Sequence, residues 1–492
     1  MRGREIFPFH AQGHHVYYYT GIRWVERGEK VLSDSDTIAA ISTALGGSGI
    51  AIVRISGSDA IQVGDRVFTF AGGKQKLSDK ESHTIHYGYV VDDGKTIDEV
   101  LVSLMRSPRS FTTEDTVEIN CHGGIYATKR VLDTVLKNGA RLAEPGEFTK
   151  RAFLNGRIDL SQAESVIDVI QAKNEYALQN SLGQLRGSLG REINALRERI
   201  LYQTAFIESA LDDPEHYSLD GYPEKLCLEI SDLLKNVNRL IATSDNGRLM
   251  KEGIQTVILG KPNAGKSSLL NVLAREERAI VTDIAGTTRD TLEETISLGG
   301  ITLQLVDTAG IRTTDDVIEK IGVSKAENMA GSADLILYVV DSTAALDEND
   351  EKILSLLENK KVIVLLNKSD LEPVVTLEQV KAFICDRYPV IEVSAKEETG
   401  LDLLTDTLQK IFYQGDLSFN DETYITSARV KSELLNTKCS LEKVLESISI
   451  GLSEDFFSID LMDAYAALGR IIGKEVGEDL VNEIFGRFCM GK

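Results

Sequence analysis

Short apolar runs alternate with glycine-rich turns between residues 36 and 155. The runs at 38–41 and 50–55, separated by the sequence GGSG at 46–49, predict a strand, a turn and a second strand. Further strands are predicted near 85–91, 100–105 and 116–119, and a helix is predicted over about 125–138. This mixture predicts an amino-terminal α+β domain over residues 36–155.

The next part of the chain has the period of an α-helix. Leucine and isoleucine recur at intervals of three and four residues from Leu178 to Ile200, which predicts one long amphipathic helix ending at Pro214. A second helical pattern over 225–243 is predicted to break at Asn246-Gly247. Helical patterns return at 432–448, 460–468 and 477–485. These segments predict an all-α helical domain in two parts, 156–250 and 415–492.

A different pattern separates the two helical parts. Short, continuous apolar runs at 257–259, 303–306, 335–340, 362–366 and 390–393 are mostly separated by helix-length segments. Such runs are typical of buried strands in a parallel α/β sheet. The fold class is therefore predicted to be multidomain, with an α/β domain at 251–414 inserted into the helical domain.

Composition restricts the possible function. The 492 residues carry a formal net charge of −22, so nucleic acid can be bound only at a local basic patch or through a basic partner protein. No apolar run is long enough to span a bilayer, which excludes an integral membrane protein. The five cysteines form no CxxC pair, which fits neither a disulfide framework nor a four-ligand zinc site. We expect a cytoplasmic protein.

Residues 1–35 differ from the rest of the chain. They contain the only tryptophan, Trp24, and three of the seven histidines, but they lack the apolar stretch of a secretory signal. A docking arm is one interpretation. A disordered tail, or an upstream stretch added by a misassigned start codon, is the interpretation that we favour.

A glycine-rich loop carries the first candidate chemistry. Residues 260–267 read GKPNAGKS, the P-loop pattern GxxxxGKS, between a predicted strand and a predicted helix. In this pattern backbone N–H groups face phosphates, Lys266 neutralises the β and γ charges, and the Ser267 hydroxyl can ligate Mg²⁺. The sequence DTAG at 307–310 follows at the expected distance, with Asp307 able to reach Mg²⁺ through water and Gly310 able to contact a γ-phosphate.

Two further motifs select the base. NKSD at 367–370 and SAK at 394–396 each close a predicted strand. The Asp370 carboxylate can accept from both N1–H and N2–H of guanine, whereas adenine has no such pair of donors. The sequence therefore predicts a guanine nucleotide.

The segment between the P-loop and Asp307 is predicted to be a switch. It reads GTTRD at 286–290, and Thr288 is the candidate Mg²⁺ ligand. Ile311 stands where Ras-like GTPases have the glutamine that orients water, so another group must position the water here.

Together these features resemble the MnmE (TrmE) family of tRNA-modifying GTPases. The resemblance rests on Asn263 in the P-loop, the GTTRD switch, a hydrophobic residue after DTAG, and a flanking helical domain. PGEF at 145–148, AFLN at 152–155 and the terminal FCMGK resemble further family motifs, with Met490 in place of the usual isoleucine. The resemblance covers nearly the whole chain after residue 35.

The resemblance implies that K⁺ replaces an arginine finger in GTP hydrolysis. Asn263, Thr282, Ile284 and Thr287 would ligate the K⁺ ion, and Ser267 and Thr288 the Mg²⁺ ion. Glu319 would orient the attacking water when two GTPase domains meet, although from sequence alone it is one acid on a charged helix. The residues expected at the GTP site are Asn263, Ala264, Gly265, Lys266, Ser267, Ser268, Thr282, Asp283, Ile284, Ala285, Gly286, Thr287, Thr288, Asp307, Thr308, Ala309, Gly310, Asn367, Lys368, Ser369, Asp370, Ser394, Ala395 and Lys396.

For the amino-terminal domain the resemblance implies a reduced folate, 5-formyltetrahydrofolate or a one-carbon relative. Arg54, Glu118, Arg157 and Lys492 would contact the pterin and its glutamate tail, because a carboxylate suits the pterin N–H edge and basic groups suit carboxylates. Surface ion pairs are the alternative for the two arginines. Cys489 is either a nucleophile near the one-carbon site or a buried thiol.

The implied function is modification of carbon 5 of the wobble uridine of certain tRNAs, a carboxymethylaminomethyl-type addition. The expected partners are GTP, tRNA, a second copy in a homodimer, and a flavin-dependent MnmG (GidA) type protein in a heterotetramer. A GTP-dependent switch for ribosome assembly is the alternative of another class. It is disfavoured because such switches usually carry an RNA-binding module.

Overall fold

The computed structural model describes residues 9–11, 14–19, 22–25, 36–276, 294–305, 331, 333–358, 360–413, 424–486, 488 and 491. The chain forms two compact units, Met1–Arg157 with Asn482–Lys492, and Ile158–Val481. Within the described residues, no helix combines the length and the apolar character needed to cross a membrane.

The strands and helices are as follows. The strands are β1 (Phe9–Ala11), β2 (His14–Tyr19), β3 (Ile22–Val25), β4 (Ile38–Ile41), β5 (Ala51–Ser56), β6 (Phe68–Phe70), β7 (Thr84–Asp92), β8 (Lys95–Met105), β9 (Thr116–Cys121), β10 (Arg141–Leu142), β11 (Ile254–Gly260), β12 (Glu294–Leu298), β13 (Ile301–Leu305), β14 (Leu335–Asp341), β15 (Val362–Asn367) and β16 (Val390–Glu392). The helices are α1 (Ala60–Val67), α2 (Ile125–Lys137), α3 (Glu147–Leu154), α4 (Leu160–Gln171), α5 (Glu175–Leu185), α6 (Ser188–Asp212), α7 (Tyr222–Glu252), α8 (Lys266–Glu276), α9 (Glu348–Leu356), α10 (Leu377–Phe383), α11 (Leu401–Tyr413), α12 (Ala428–Ser449), α13 (Glu454–Ile471) and α14 (Glu478–Phe485).

The first unit is built on a seven-stranded sheet of order β10-β4-β5-β9-β8-β7-β6. Helices α1 and α2 share an apolar core with one face of this sheet. On β5 this core takes Ala51, Val53 and Ile55, which are buried. Because side chains alternate along a strand, Arg54 lies on the opposite face of the sheet.

The α/β part of the second unit is a six-stranded sheet of order β12-β13-β11-β14-β15-β16. All neighbouring strands are parallel except the edge pair β12–β13. The predicted α/β domain is therefore confirmed, with one antiparallel edge strand that the apolar runs do not indicate. The helical bundle, whose apolar core combines residues of α6, α7, α12 and α13, lies before and after this sheet in the sequence. The predicted multidomain fold class is confirmed.

Two predicted helix boundaries are wrong. The single helix ending at Pro214 is divided into α5 and α6, because Gly187 adopts a left-handed conformation with φ of 82°. Conversely, α7 continues through Asn246-Gly247. Gly247 is needed there for close packing, since a Cβ at this position would overlap the Ile425 carbonyl oxygen.

Both ends of the chain contribute described elements. The described residues between 9 and 25 include a three-stranded antiparallel sheet. Its strand β2 contains three consecutive tyrosines, which favour extended backbone. At the other end, residues 482–492 group with the first unit. The Phe485 ring packs there against the rings of Phe153 and Phe488.

Candidate functional site

The P-loop connects β11 to α8, as the sequence predicts. Asn263 is exposed and adopts a left-handed conformation with φ of 62°. Gly265 has φ of 93°, and a Cβ on it would overlap the Asn367 side-chain amide. The loop therefore needs glycine at 265 for both its backbone conformation and its contact with Asn367 of the predicted base-recognition loop.

Lys266 and Ser267 begin the helix that follows the loop. The Lys266 Nζ donates to the carbonyl oxygens of Gly260, at 2.9 Å, and Lys261, at 2.6 Å. Ser267 is half-buried and Ser268 is exposed, while Ala264 is buried. An ammonium and a hydroxyl at the N-terminus of a helix are the groups that a phosphate and its Mg²⁺ ion require.

Asn367 connects the P-loop to the two predicted base-recognition loops. Its Nδ2 donates to the Ala264 carbonyl at 2.9 Å, and its Oδ1 accepts from the Ala395 backbone N at 3.1 Å. The next residue, Lys368, has φ of 65° and donates to Asp341 Oδ2 at 2.6 Å. The buried side-chain amide of Asn367 thus links three of the predicted GTP-binding motifs, namely the P-loop, NKSD and SAK.

Asp370 and Ser394 lie together at the predicted guanine site. The Ser394 Oγ donates to Asp370 Oδ1 at 2.6 Å, and the Ser369 backbone N donates to the Val393 carbonyl at 3.2 Å. The hydrogen bond from Ser394 lowers the pKa of Asp370, and Lys396 and Lys368 add to this effect. Asp370 is therefore held as an acceptor-only carboxylate, the form that guanine N1–H and N2–H require.

A buried ionic cluster anchors the P-loop, and the sequence analysis missed it. Lys261 Nζ lies 2.7 Å from Asp350 Oδ2 and also donates to the Ala345 carbonyl at 3.0 Å. The fully buried Tyr338 donates its Oη proton to Asp350 Oδ1 at 2.7 Å. The pattern Asp347-x-x-Asp350 gives a capping-box signal for the start of α9, but nothing in the sequence pairs Asp350 with Lys261.

Burial and the Asp350 hydrogen bond shift the pKa values of this cluster. Burial raises the pKa of Tyr338 above its ordinary range, and the hydrogen bond to Asp350 raises it further. Burial alone would lower the pKa of Lys261, but the hydrogen bonds to Asp350 and Asp347 raise it overall. Lys261 is therefore a permanent cation at the base of the phosphate loop.

Some predicted site residues lie outside the described residues. They are Thr282, Asp283, Ile284, Ala285, Gly286, Thr287, Thr288, Asp307, Thr308, Ala309, Gly310, Glu319, Cys489 and Lys492. Among the described residues, the structure brings together the P-loop, the NKSD loop and the SAK loop through the side chain of Asn367.

In the first unit, Arg54 and Glu118 form an ion pair on neighbouring strands. They are directly opposite each other on β5 and β9, with Arg54 Nε 2.8 Å from Glu118 Oε1. Both side chains are about one-fifth exposed, at 18% and 21%. The Arg54 Nη1 also donates to the Gly491 carbonyl at 3.4 Å, and Ser42 Oγ donates to the same oxygen at 3.0 Å.

The predicted third basic group, Arg157, lies near the same apolar cluster as Arg54. The Arg54 guanidinium lies over the Phe148 ring at 5.5 Å, and the Arg157 guanidinium over the Phe111 ring at 5.1 Å. Phe111 and Phe148 pack together with Ile38. Two cations therefore lie over one small aromatic cluster, and one of them, Arg54, also contacts the Glu118 carboxylate and the Gly491 carbonyl.

Known proteins are similar to this chain over nearly its whole length. The model of the "GTP-binding protein TrmE N-terminus" matches residues 37–157, and that of the "MnmE helical domain" matches residues 160–489. A protein of Lachnoclostridium phytofermentans named tRNA modification GTPase MnmE is 56% identical over 93% of this chain and 100% of its own length. Proteins with the same name from Geobacillus thermodenitrificans, 47% identical over 94% of this chain, and Bacillus subtilis, 46% identical over 93%, match over 100% of their own lengths. The chain therefore belongs to the MnmE (TrmE) family of tRNA modification GTPases.

Proposed function

We propose that this GTPase hydrolyses GTP with K⁺ in place of an arginine finger. The observation that carries the proposal is Asn263, which stands exposed in a left-handed conformation in the P-loop. An exposed side-chain carbonyl at this position suits a monovalent cation beside the β and γ oxygens, and Ile311 cannot orient water as a glutamine does. Thr282, Ile284 and Thr287 would supply the remaining protein ligands.

In this proposal, different residues of the chain bind the phosphates, hold the Mg²⁺ ion and position the attacking water. Lys266 would leave the Gly260 and Lys261 carbonyls and bind the β and γ phosphates. Ser267, Thr288 and, through water, Asp307 would hold Mg²⁺, while Glu319 would orient the attacking water. The two cations, when bound, would supply positive charge to the transition state.

We further propose that GTP turnover supports modification of carbon 5 of the wobble uridine in certain tRNAs, with a reduced folate as the one-carbon donor. The Arg54–Glu118 pair supports a folate site, because Glu118 can accept from pterin N–H groups and Arg54 can pair with a carboxylate. Arg157 and the terminal Lys492 would bind the glutamate tail. A flavin-dependent MnmG-type partner would supply the redox step.

The proposed homodimer is supported by one face of the amino-terminal sheet. Tyr87 and Leu101 are cross-strand partners, and Ile85 lies two residues from Tyr87 on the same face. Their exposures of 48%, 47% and 67% are high for large apolar side chains. A second copy of the chain would cover this face.

Nucleoside analysis of tRNA from a deletion strain tests the proposed function. We expect loss of a wobble-uridine modification that the wild-type chain restores on a plasmid and a Lys266→Ala chain does not. Normal nucleosides together with a defect in ribosome assembly would favour the alternative switch.

A further inference from the structure

One asparagine links the helical bundle to the nucleotide-binding sheet. Asn174 caps helix α5, since its Oδ1 accepts from the Ala177 backbone N at 2.7 Å. Its Nδ2 donates to Thr302 Oγ1 on β13 at 2.8 Å and to the Met250 carbonyl near the end of α7 at 3.1 Å. The side chain therefore fixes the start of α5 to both a sheet strand and a bundle helix.

A second contact from α5 reaches the turn of the β12–β13 hairpin. Gly299 and Gly300 form this turn with φ of 55° and 81°. A Cβ on Gly300 would lie 2.8 Å from Tyr176 Cε2, so the ring packs closely against the turn backbone. The turn is therefore held by the helix whose cap is Asn174.

The hairpin leads directly into the segments that carry the predicted switch residues. Its strands pair from Leu298 opposite Ile301 to Glu294 opposite Leu305. Thr288 precedes Glu294 and Asp307 follows Leu305, in each case within a few residues of sequence. β12 pairs along its whole length with β13, which β11 holds in the sheet, so the hairpin connects the predicted switch segments to the turn that α5 contacts.

The two chain segments that connect the helical bundle to the sheet, one after α7 and one before α12, are both held by Asp168. Asp168 on α4 lies 2.7 Å from Lys251 Nζ through Oδ1 and accepts from Thr426 Oγ1 at 3.0 Å through Oδ2. Lys251 is next to the exit from α7, and Thr426 is next to the start of α12. The contact between α5 and the hairpin can therefore be removed while Asp168 still holds the two segments that connect the bundle to the sheet.

We propose that α5, through Asn174 and Tyr176, transmits the nucleotide-dependent position of the β12–β13 hairpin to the helical bundle. These residues are positioning residues that couple GTP hydrolysis to tRNA modification. The inference rests on the proposed roles of Thr288 and Asp307. It predicts that breaking the hairpin contact uncouples the two activities without disabling the GTPase.

The test uses the full chain with substitutions on both sides of one hydrogen bond. Asn174→Ser keeps a helix cap but is too short to reach Thr302, and Thr302→Val keeps the side-chain shape but removes the acceptor. The matched control is Gln179→Ala, an exposed position on the same helix. GTP hydrolysis is measured on purified protein, and the modified nucleoside that a deletion strain lacks is measured in complemented cells.

We expect GTP affinity and hydrolysis to match the control, while the modified nucleoside falls by about twofold to tenfold, the effect of one net hydrogen bond. The double variant should be no worse than Asn174→Ser alone, because that variant already removes the bond to Thr302 and also loses the bond to the Met250 carbonyl. Equal losses in hydrolysis and modification, or no loss in either, would overturn the inference. If both variants melt early, Tyr176→Leu makes the same test through the ring contact. Failure of the proposed function itself would appear separately, as normal nucleosides in the deletion strain.

Discussion

Replacing Lys261 by methionine tests whether the buried cluster anchors the P-loop. The substitution keeps an unbranched side chain of similar length but removes the ammonium that lies 2.7 Å from Asp350 Oδ2. Asp350 is 1% exposed, so water cannot replace the lost cation. The carboxylate would keep only the donors Tyr338 Oη, at 2.7 Å, and the Asp347 backbone N, at 2.9 Å.

The magnitude follows from this loss of one partner. Removing one member of a buried ion pair costs about 3–5 kcal/mol, because the remaining charge is left uncompensated. The two remaining donors and the 13% exposure of the Lys261 side chain place the expected cost at the lower limit, about 3 kcal/mol. For a domain of this size that corresponds to a decrease in melting temperature of roughly 6–12 °C.

Calorimetry of the full chain and titration with a fluorescent GDP analogue measure the two effects. GDP should bind about tenfold more weakly, because Lys261 lies in the P-loop and the loss of its ion pair loosens the loop whose backbone N–H groups face the phosphates. The control is Lys352→Met, an exposed lysine on the same helix as Asp350, which should leave both quantities unchanged. Adding Asp350→Asn to Lys261→Met should recover part of the stability. An unchanged melting temperature in Lys261→Met would refute the reasoning.

Three further predictions concern the two proposed sites. Asp370→Asn should weaken GTP binding by about tenfold or more and reduce the preference for GTP over ATP, because a charged acceptor for N1–H and N2–H is lost; competition binding measures both. Asn263→Ala should remove most of the stimulation of hydrolysis by KCl over NaCl while leaving GTP affinity nearly unchanged, and equal salt dependence in wild type and variant would contradict the assigned role. Arg54→Ala and Glu118→Gln should each weaken binding of 5-formyltetrahydrofolate by about tenfold to a hundredfold in calorimetry, with Arg239→Ala in the helical bundle as the unaffected control.

The sequence predicts the regular elements well where a local pattern determines them. The parallel strands and the P-loop are read from continuous apolar runs and from the spacing of glycine and lysine. Gly187 and Gly247 show the limit of such reading, because one glycine divides a helix while the other lies inside one. The difference is a tertiary contact, the approach of Ile425 to Gly247, which no local pattern contains.

The site shows the same limit. Motif chemistry predicts that Asn367 and Asp370 recognise the base, and the structure places Asn367 against the P-loop and Asp370 against Ser394. The partnership of Lys261 with Asp350 is not predictable, because it joins residues that are close only through the order of strands β11 and β14. Similarly, only the fold shows that Gly491 contacts Arg54.

The contact of Gly491 with Arg54 makes the proposed folate site dependent on both ends of the first unit. Arg157 closes the amino-terminal segment of that unit, and Gly491 lies in the segment that returns to it. A ligand held by both segments binds only when both are folded, so at a folate concentration of 100 times Kd it should stabilise that state by about 2.7 kcal/mol, a factor of roughly 100. Hydrogen exchange of the full chain should therefore slow by up to this factor in 36–157 and in 482–491 together. Protection in 36–157 alone would show that residues 482–491 do not take part in the folate site. Loss of all protection in Arg54→Ala would show that the effect depends on the Arg54–Glu118 ion pair.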